Sequence, residues 1–231
     1  KGLEIMKTKI DKDSFSFSLN LKKKTATITC GKYSDDKKII PEVVMYEKES
    51  YVVDEIKDGS FYESWRIESI IIPSSIKKIG EFAFSWSESL KTITINSKLK
   101  KIDNMTFSGC VSLENIIIPN SVKSIGKGSF NYCESLESIN IPKGVKIIED
   151  FTFCQCSSLT NISIPNSVES IKKYAFAWCT SLTTISIPCS VTSIDSKAFE
   201  GCVKLNEVIL PVHFRGVPLG IDENIIKYIE D

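Results

Sequence analysis

Phenylalanine recurs at a constant interval of 23 residues over most of this 231-residue chain. The phenylalanines in this register are Phe61, Phe84, Phe107, Phe130, Phe153, Phe176 and Phe199. Proline keeps the same interval at Pro73, Pro119, Pro142, Pro165, Pro188 and Pro211, with Asn96 as the one exception. Cysteine keeps it at Cys110, Cys133, Cys156, Cys179 and Cys202. This fixed period predicts a stack of similar units, because one such unit cannot bury its own apolar face.

Each unit begins with the spacing L-x-x-I-x-I, which is typical of a strand that is buried on one face. In one example the alternation places Ile185 and Ile187 on the buried face, and Pro188 then ends the strand because it has no N–H to donate. Val191 and Ile194 form a second short apolar segment of the same unit. The phenylalanine and the cysteine that follow are spaced for one helical or 3-10 turn leading to the next strand.

The complete unit, L-x-x-I-x-I-P-x-S-V-x-x-I-x-x-x-A-F-x-x-C, resembles the BspA-like class of leucine-rich repeats. The resemblance covers an array over residues 53–211 and implies a repeat solenoid, the leucine-rich repeat superhelix. Such a fold is mostly β, with short helical or 3-10 turns and a parallel strand sheet. Residues 1–52 are similar to the β-hairpin cap that precedes these arrays, so we expect an N-terminal β cap there.

Two segments depart from the repeat. We expect residues 212–231 to form either a C-terminal cap over the last coil or a junction to further chain. In this segment Asp222 is suited to be the N-cap of a short helix. One side of that helix would carry Ile225, Ile226 and Ile229. The coil around Lys98 lacks both the repeat proline and the repeat serine, so we expect any local irregularity of the array in that coil.

Charge and hydropathy restrict the classes of function. The chain has 29 basic and 29 acidic residues, which argues against a general nucleic-acid surface. No apolar run approaches the roughly 18 residues that a transmembrane helix needs. The chain begins at Lys1 without a visible signal peptide, so we interpret it as a processed or trimmed form. The resemblance implies an extracellular or cell-surface location, and we expect a monomer.

The eight cysteines raise the question of disulfides. In-register cysteines of a parallel stack point the same way, whereas a disulfide requires its two Cβ atoms to be turned toward each other. We therefore interpret the five periodic cysteines as an unbridged column of small apolar residues in the core. Cys30, Cys154 and Cys189 lie outside this register, and the sequence leaves their state open.

Motifs for catalysis, metals and cofactors are missing from the sequence. The only histidine is His213, so every serine or cysteine nucleophile scheme would depend on that residue. Cys154 and Cys156 form a C-x-C pair without a second pair at zinc spacing. No glycine-rich phosphate loop or dinucleotide fingerprint occurs. We therefore expect no enzyme activity, no metal site and no cofactor.

Repeat solenoids bind partners along their long curved surfaces, and the period assigns which side chains point outward from the strands. In the middle of the array these side chains are mostly small, uncharged and able to form hydrogen bonds at low entropic cost. We expect partner binding at Asn115, Ile117, Ser138, Asn140, Asn161, Ser163, Thr184 and Ser186. The expected partner is a host matrix protein, a cell-surface protein or a glycan. Alternatively, serine and threonine are simply suitable solvent-facing strand residues.

Three functions are compatible with these observations. The BspA-like resemblance implies a cell-surface or secreted protein-binding and adhesion module. The first alternative is a structural or self-assembling envelope scaffold without a specific host ligand. The second is a carbohydrate-binding accessory domain, which would use Trp86 and Trp178 at one equivalent position of two coils. Packing on the convex rim of the array is the favoured interpretation of these two tryptophans.

Overall fold

A computed structural model describes residues 5–9, 15–30 and 37–230 of the chain. These residues form short strands joined by tight turns, with 3-10 turns at Val212–Phe214 and Glu223–Ile225. In chain order the strands are β1 (Ile5–Lys9), β2 (Ser16–Asn20), β3 (Thr25–Cys30), β4 (Lys37–Ile39), β5 (Val43–Tyr46), β6 (Glu49–Ile56), β7 (Ser69–Ile72), β8 (Lys78–Ile79), β9 (Thr92–Ile95), β10 (Lys101–Ile102), β11 (Asn115–Ile116), β12 (Ser124–Ile125), β13 (Ser138–Ile139), β14 (Ile147–Ile148), β15 (Ser170–Ile171), β16 (Thr184–Ser186), β17 (Ser193–Ile194), β18 (Glu207–Pro211) and β19 (Ile226–Ile229).

Within the repeat array the coils stack so that strands lie beside their equivalents 23 residues away. Parallel pairing joins β4, β7, β9, β11 and β13 into one sheet, which we call the main strand sheet. Further pairing joins β10, β12, β14, β15 and β17 into a second sheet, and β16, β18 and β19 into a third. The register is Ser69 beside Thr92 in the main sheet and Lys101 beside Ser124 in the second. The predicted mostly-β leucine-rich repeat solenoid is therefore confirmed.

An N-terminal sheet covers the first coil. β1, β2 and β3 pair in antiparallel fashion, β3 lies parallel to β6, and β5 and β6 form a second hairpin. Phe17, Leu19 and Ile28 are buried beneath it, and the Phe15 ring lies 6.1 Å from the Phe61 ring between centroids. Since β4 pairs with β7, the main strand sheet already begins at Lys37.

The repeat phenylalanines form one continuous column through the core. Neighbouring rings from Phe61 to Phe199 are stacked with centroids 4.9–5.7 Å apart and interplanar angles of 4–19°. Six of the seven rings are no more than 1% exposed, and the terminal Phe199 is 5% exposed. The rings stack because identical positions of parallel coils lie about 4.8 Å apart along the array. This column explains why phenylalanine holds its period so strictly.

The repeat cysteines form a second column beside the phenylalanines. Each thiol donates a hydrogen bond of 3.1–3.2 Å to the backbone carbonyl of the phenylalanine one coil earlier. Ser87 holds the same position in an earlier coil and donates to the Phe61 carbonyl at 2.8 Å. All eight cysteines lie among the described residues, and no disulfide links them there. The predicted unbridged column is confirmed.

Thiol labelling should distinguish these environments. Cys189 is exposed and should react first, whereas Cys110, Cys133, Cys156 and Cys179 are buried and should react only when the array opens. The measurement is a reaction time course with a chromogenic disulfide reagent, with mass spectrometry to assign the sites. In denaturant without reductant we expect eight reactive thiols, and a count of four or fewer would contradict the unbridged column.

The C-terminal segment differs from its prediction. The Asp222 side chain does accept a hydrogen bond from the Asn224 backbone N–H at 3.0 Å, but the helical segment is a single 3-10 turn, Glu223–Ile225. The expected short helix is wrong, because Ile226–Ile229 form β19 and pair with β18. Tyr228 is partly buried two residues after Ile226, so the segment has the alternation of a strand and completes the hydrogen bonds of the last coil.

Candidate functional site

The eight residues predicted to bind a partner all point outward from the strands. Each is exposed, and Ile117 is the most exposed large apolar residue of the group, at 77%. Their neighbours along the chain, such as Ile116 and Ile162, are buried. The alternation of the sequence therefore assigned the two faces correctly. We call the outward side of these coils the strand face.

Asn140 is exposed but also has a structural role. Its side-chain oxygen accepts a hydrogen bond from the Ile118 backbone N–H at 3.1 Å, and its side-chain nitrogen donates to the Ile118 carbonyl at 3.1 Å. One amide side chain thus serves both backbone groups of a residue in the preceding coil. Because removing it would leave two backbone groups without partners, a substitution of Asn140 would test stability together with binding.

The ladder of strands is interrupted in the coil that follows Asn140. The main strand sheet ends at β13 and pairing resumes at β16, so residues 161–164 contribute no strand. In the described part of the chain, an isolated bridge between Asn140 and Ser163 is the pairing that remains. Within that part no strand pairing joins residues 161–164 to β16.

The prediction of an irregular coil at Lys98 is therefore wrong. That coil contains β9, a regular strand of four residues. The Asn96 backbone N–H donates to the Ile72 carbonyl at 2.9 Å, a hydrogen bond that the repeat proline cannot form. Loss of the proline consequently extends the ladder instead of weakening it.

An open groove of about 630 Å³ lies at the interruption. Four predicted residues line it together: Asn161, Ser163, Thr184 and Ser186. Among the described residues that line the groove there is no lysine, arginine, histidine, aspartate or glutamate. Hydroxyl and amide groups therefore provide its polar contacts, which suits a neutral ligand that both donates and accepts hydrogen bonds.

The remaining predicted residues do not line the groove. Asn115, Ile117, Ser138 and Asn140 lie on the two coils before it, and they continue the same strand face. Each coil adds about 4.8 Å along this face, so a partner of modest size could contact both groups of residues.

Several residues that line the groove are not among the expected partner-binding residues. Ile209, Ile229 and the exposed Cys189 contribute to its lining. Ile229 reaches the groove because its segment is a strand beside β18, and the period-2 burial of Ile226 and Tyr228 is the signal that could have shown this. Ile209 and Ile229, together with Pro188 and the repeat isoleucines of the lining, add apolar surface beside the hydroxyl and amide groups of the groove.

Trp86 and Trp178 lie on a different side, at the tight turn that carries the repeat phenylalanine. Both have left-handed backbone conformations, with φ of 58° and 56°. A Cβ atom on Gly109 would come within 2.6 Å of the Trp86 ring, and one on Gly201 within 2.4 Å of the Trp178 ring. Each indole therefore packs over the glycine of the next coil, as the favoured interpretation expects, while remaining more than one third exposed.

Residues 5–9, 15–30 and 37–230 contain no group of three or more histidine, cysteine, aspartate or glutamate side chains placed to hold a metal ion. No helix in these ranges combines the length and apolar character required to cross a bilayer.

Similarity to known proteins agrees with the geometry. The family model described as BspA type leucine-rich repeat region matches in six copies, over residues 54–157 and 146–219. A leucine-rich cell surface protein of Faecalibacterium prausnitzii is 35% identical, with a TM-score of 0.77, over 88% of this chain and 54% of that protein. A leucine-rich repeat protein of T. pallidum is 25% identical, with a TM-score of 0.75, over 95% of this chain and 100% of that one. No curated protein matches significantly.

The chain thus spans about half the length of the F. prausnitzii protein. A leucine-rich repeat protein of Bacteroides ovatus, at 24% identity and a TM-score of 0.52, shows the fold alone, over 96% of this chain and 77% of that one. The family model covers most of the array, and its repeat period and the residues that carry it agree with the columns of the structure. The chain belongs to the BspA-type leucine-rich repeat family.

Proposed function

We propose that the chain is a non-enzymatic cell-surface or secreted module that binds a protein or glycan partner on its strand face. The observation that carries this proposal is the groove at the ladder interruption, where four outward polar side chains converge. The similar F. prausnitzii protein is described as a cell surface protein, which supports the location. Adhesion to a host surface is the role that fits this location and this site.

The chemistry of the strand face favours selective, hydrogen-bonded recognition. Asn161, Ser163, Thr184 and Ser186 offer donors and acceptors without formal charge, and short side chains lose little rotamer entropy when a partner fixes them. Ile117 provides an exposed apolar contact outside the groove. Interfaces of this kind gain most of their affinity from a few such contacts surrounded by neutral ones.

A second candidate function is self-association. Ile39, Ile71 and Ile117 occupy outward positions of the main strand sheet and are 70%, 37% and 77% exposed. Exposed apolar side chains along one face can drive assembly of identical chains. Sedimentation velocity over a range of concentrations distinguishes the two functions, since a scaffold would assemble and a recognition module would remain monomeric.

The binding proposal is tested with a panel of immobilised matrix proteins, host-cell surface extracts and glycans. The double variant Ile117→Lys/Ser186→Lys places two charged side chains on the strand face, and we expect it to lower the affinity for a bound panel member at least about tenfold. Surface plasmon resonance measures this loss. Asn140 is left unchanged because of its hydrogen bonds to Ile118.

The matched control is Ser124→Lys/Ser193→Lys, which adds the same charges to exposed positions of the second sheet. This control should retain wild-type affinity. Equal affinity of the wild type and the Ile117→Lys/Ser186→Lys variant for every panel member would contradict the proposal. Equal loss in both double variants would also contradict it, because the effect would not be specific to the strand face.

A further inference from the structure

A second concave site lies on the turn edge, the side of the array formed by the tight turns that carry the repeat phenylalanines. Its lining consists of Tyr62, Glu63, Trp65, Trp86 and Glu88, and its volume is about 330 Å³. The three aromatic side chains are 40%, 60% and 39% exposed, in that order. Together these three side chains form an exposed aromatic patch, and contiguous exposed apolar surface is typical of an interaction site. The strand face and its groove do not include these residues.

Aromatic and acidic side chains alternate around this pocket because of the repeat. Glu63 and Trp86 hold the same position of successive coils, 23 residues apart, and so do Trp65 and Glu88. Each carboxylate is therefore the neighbour of an indole on the adjacent coil, at the coil spacing of about 4.8 Å. Tyr62 adds a third aromatic side chain to the lining.

The backbone holds the two coils in this arrangement. The Glu63 N–H donates to the Ser85 carbonyl at 2.9 Å, and the Trp86 N–H donates to the Ser108 carbonyl at 2.7 Å. The Ser89 hydroxyl donates to the Trp65 carbonyl at 2.6 Å. The Trp86 ring rests over Gly109 of the next coil, and Tyr132 of the coil after that lies 6.0 Å away between ring centroids. The backbone that carries the aromatic side chains is thus held in place before a ligand arrives, which reduces the entropy lost on binding.

The electrostatics of the pocket favour a cation. Within the described ranges neither Glu63 nor Glu88 forms an ion pair, although many surface carboxylates of this chain do. A hydrogen bond to the Glu63 carboxylate is the largest cause of a raised pKa of the Tyr62 hydroxyl, which places that hydroxyl beside the carboxylate. The Arg66 guanidinium already lies 4.8 Å from the centroid of the Trp65 ring, so this ring accepts a cation on one of its faces.

We propose that this turn-edge pocket binds an alkylammonium group, the chemistry that a lysine side chain and a choline headgroup share. Indole and phenol faces attract such cations through the ring quadrupole, and the two carboxylates add charge complementarity. The combination is specific to these coils. At the two equivalent positions, a later coil holds Tyr132 and Glu134, but the coil after it holds Gln155 and Ser157. The coil of Trp178 holds Thr180 at the second position. In the sequence, therefore, no second pair of adjacent coils carries two indoles and two carboxylates at these positions.

The proposal is tested by titrating the ¹⁵N-labelled chain with choline chloride and, separately, with Nα-acetyl-lysine amide. The chain contains three tryptophans, so three indole N–H resonances report on the titration. We expect the resonances of Trp65 and Trp86 to shift and to saturate while that of Trp178 stays constant. Saturation with either ammonium compound supports the proposal, and a comparison of the two affinities identifies the source of the ligand.

Neutral isosteres and matched variants complete the test. We expect 3,3-dimethylbutanol and Nα-acetyl-norleucine amide, which lack the cation, to cause no saturable shift. Trp86→Leu and the isosteric Glu88→Gln should each weaken ammonium binding at least about tenfold. Trp178→Leu is the control, because Trp178 also packs over a glycine with positive φ, but the positions equivalent to Glu63 and Glu88 around it hold Gln155 and Thr180.

Three results would overturn the proposal. The first is no saturation with either ammonium compound while the far-UV circular dichroism shows a folded chain. The second is equal binding of the neutral isosteres, which would make the pocket merely apolar. The third is a parallel shift of all three indole resonances, which would indicate general weak contact of cations with exposed rings. Each readout is independent of the strand-face variants, so failure here leaves the proposed function separately testable.

Discussion

Replacing Phe130 with alanine should lower the free energy of unfolding by about 3–5 kcal/mol, the usual loss for a large buried aromatic side chain. The Phe130 ring is fully buried and stacks between Phe107 and Phe153 at centroid distances of 5.5 and 5.7 Å. The cavity would interrupt the column in the middle of the array, where the coils on either side depend on their neighbours. Urea unfolding followed by circular dichroism measures the loss.

The matched control is Phe151→Ala. Phe151 lies in the next coil and is also aromatic, but it is 40% exposed and meets only the Tyr174 ring among the described aromatic side chains, at 5.1 Å. We expect this substitution to lower the free energy of unfolding by less than about 1.5 kcal/mol. A loss of similar size in both variants would show that the stacked column has no special role in stability.

The free energy of unfolding should also fall steeply in alkali, because the buried thiols resist ionisation. Burial raises the pKa of Cys110 to about 12 from an ordinary value of 9.0 and raises those of Cys133, Cys156 and Cys179 well above it. These thiols ionise in the unfolded chain near pH 9 but stay protonated in the folded chain. Their contribution to stability is therefore complete below pH 9 and is lost as the pH rises toward 12.

Above pH 9 the free energy of unfolding should fall by up to about 1.4 kcal/mol per pH unit for each buried thiol. Urea titrations between pH 7 and pH 11 measure it. Cys133→Ser should reduce the slope by about one thiol's share, since a hydroxyl does not ionise in this range. Serine is a native-like substitute, because Ser87 holds the same position and donates to the Phe61 carbonyl. An unchanged slope in Cys133→Ser would rule out the thiol column as its cause.

The sequence predicted the columns of the array because each depends on one repeated residue type. The phenylalanine period fixed the core, and the alternation around Ile116 and Ile162 identified the outward face. A strict period implies equivalent environments in successive coils, so a single unit was sufficient to predict both.

The ladder interruption could not be predicted in the same way. The segment NISIP at 161–165 follows the repeat pattern as closely as the segment NIIIP at 115–119, which contains β11. The difference lies between coils, because pairing beyond β13 falls to one bridge between Asn140 and Ser163. A repeat pattern describes one coil at a time and does not encode how closely neighbouring coils pair.

The turn-edge pocket escaped the sequence reasoning for a related reason. Trp86 and Trp178 share one repeat position, but the pocket also needs the position two residues later, which holds Trp65 and Glu88. The pocket depends on the identities at two positions of two adjacent coils at once. Repeat arrays create sites of this kind wherever neighbouring coils differ from the consensus together.

Hydrogen exchange of the complex tests most directly the central claim that partners bind on the strand face at the groove. The panel member that binds most tightly is added in saturating amount, and exchange is followed by mass spectrometry. We expect added protection in peptides that contain residues 161–164 and 184–187, and unchanged exchange in β14 and β15 of the second sheet. Protection confined to β14 and β15, with the strand-face peptides unchanged, would contradict the account.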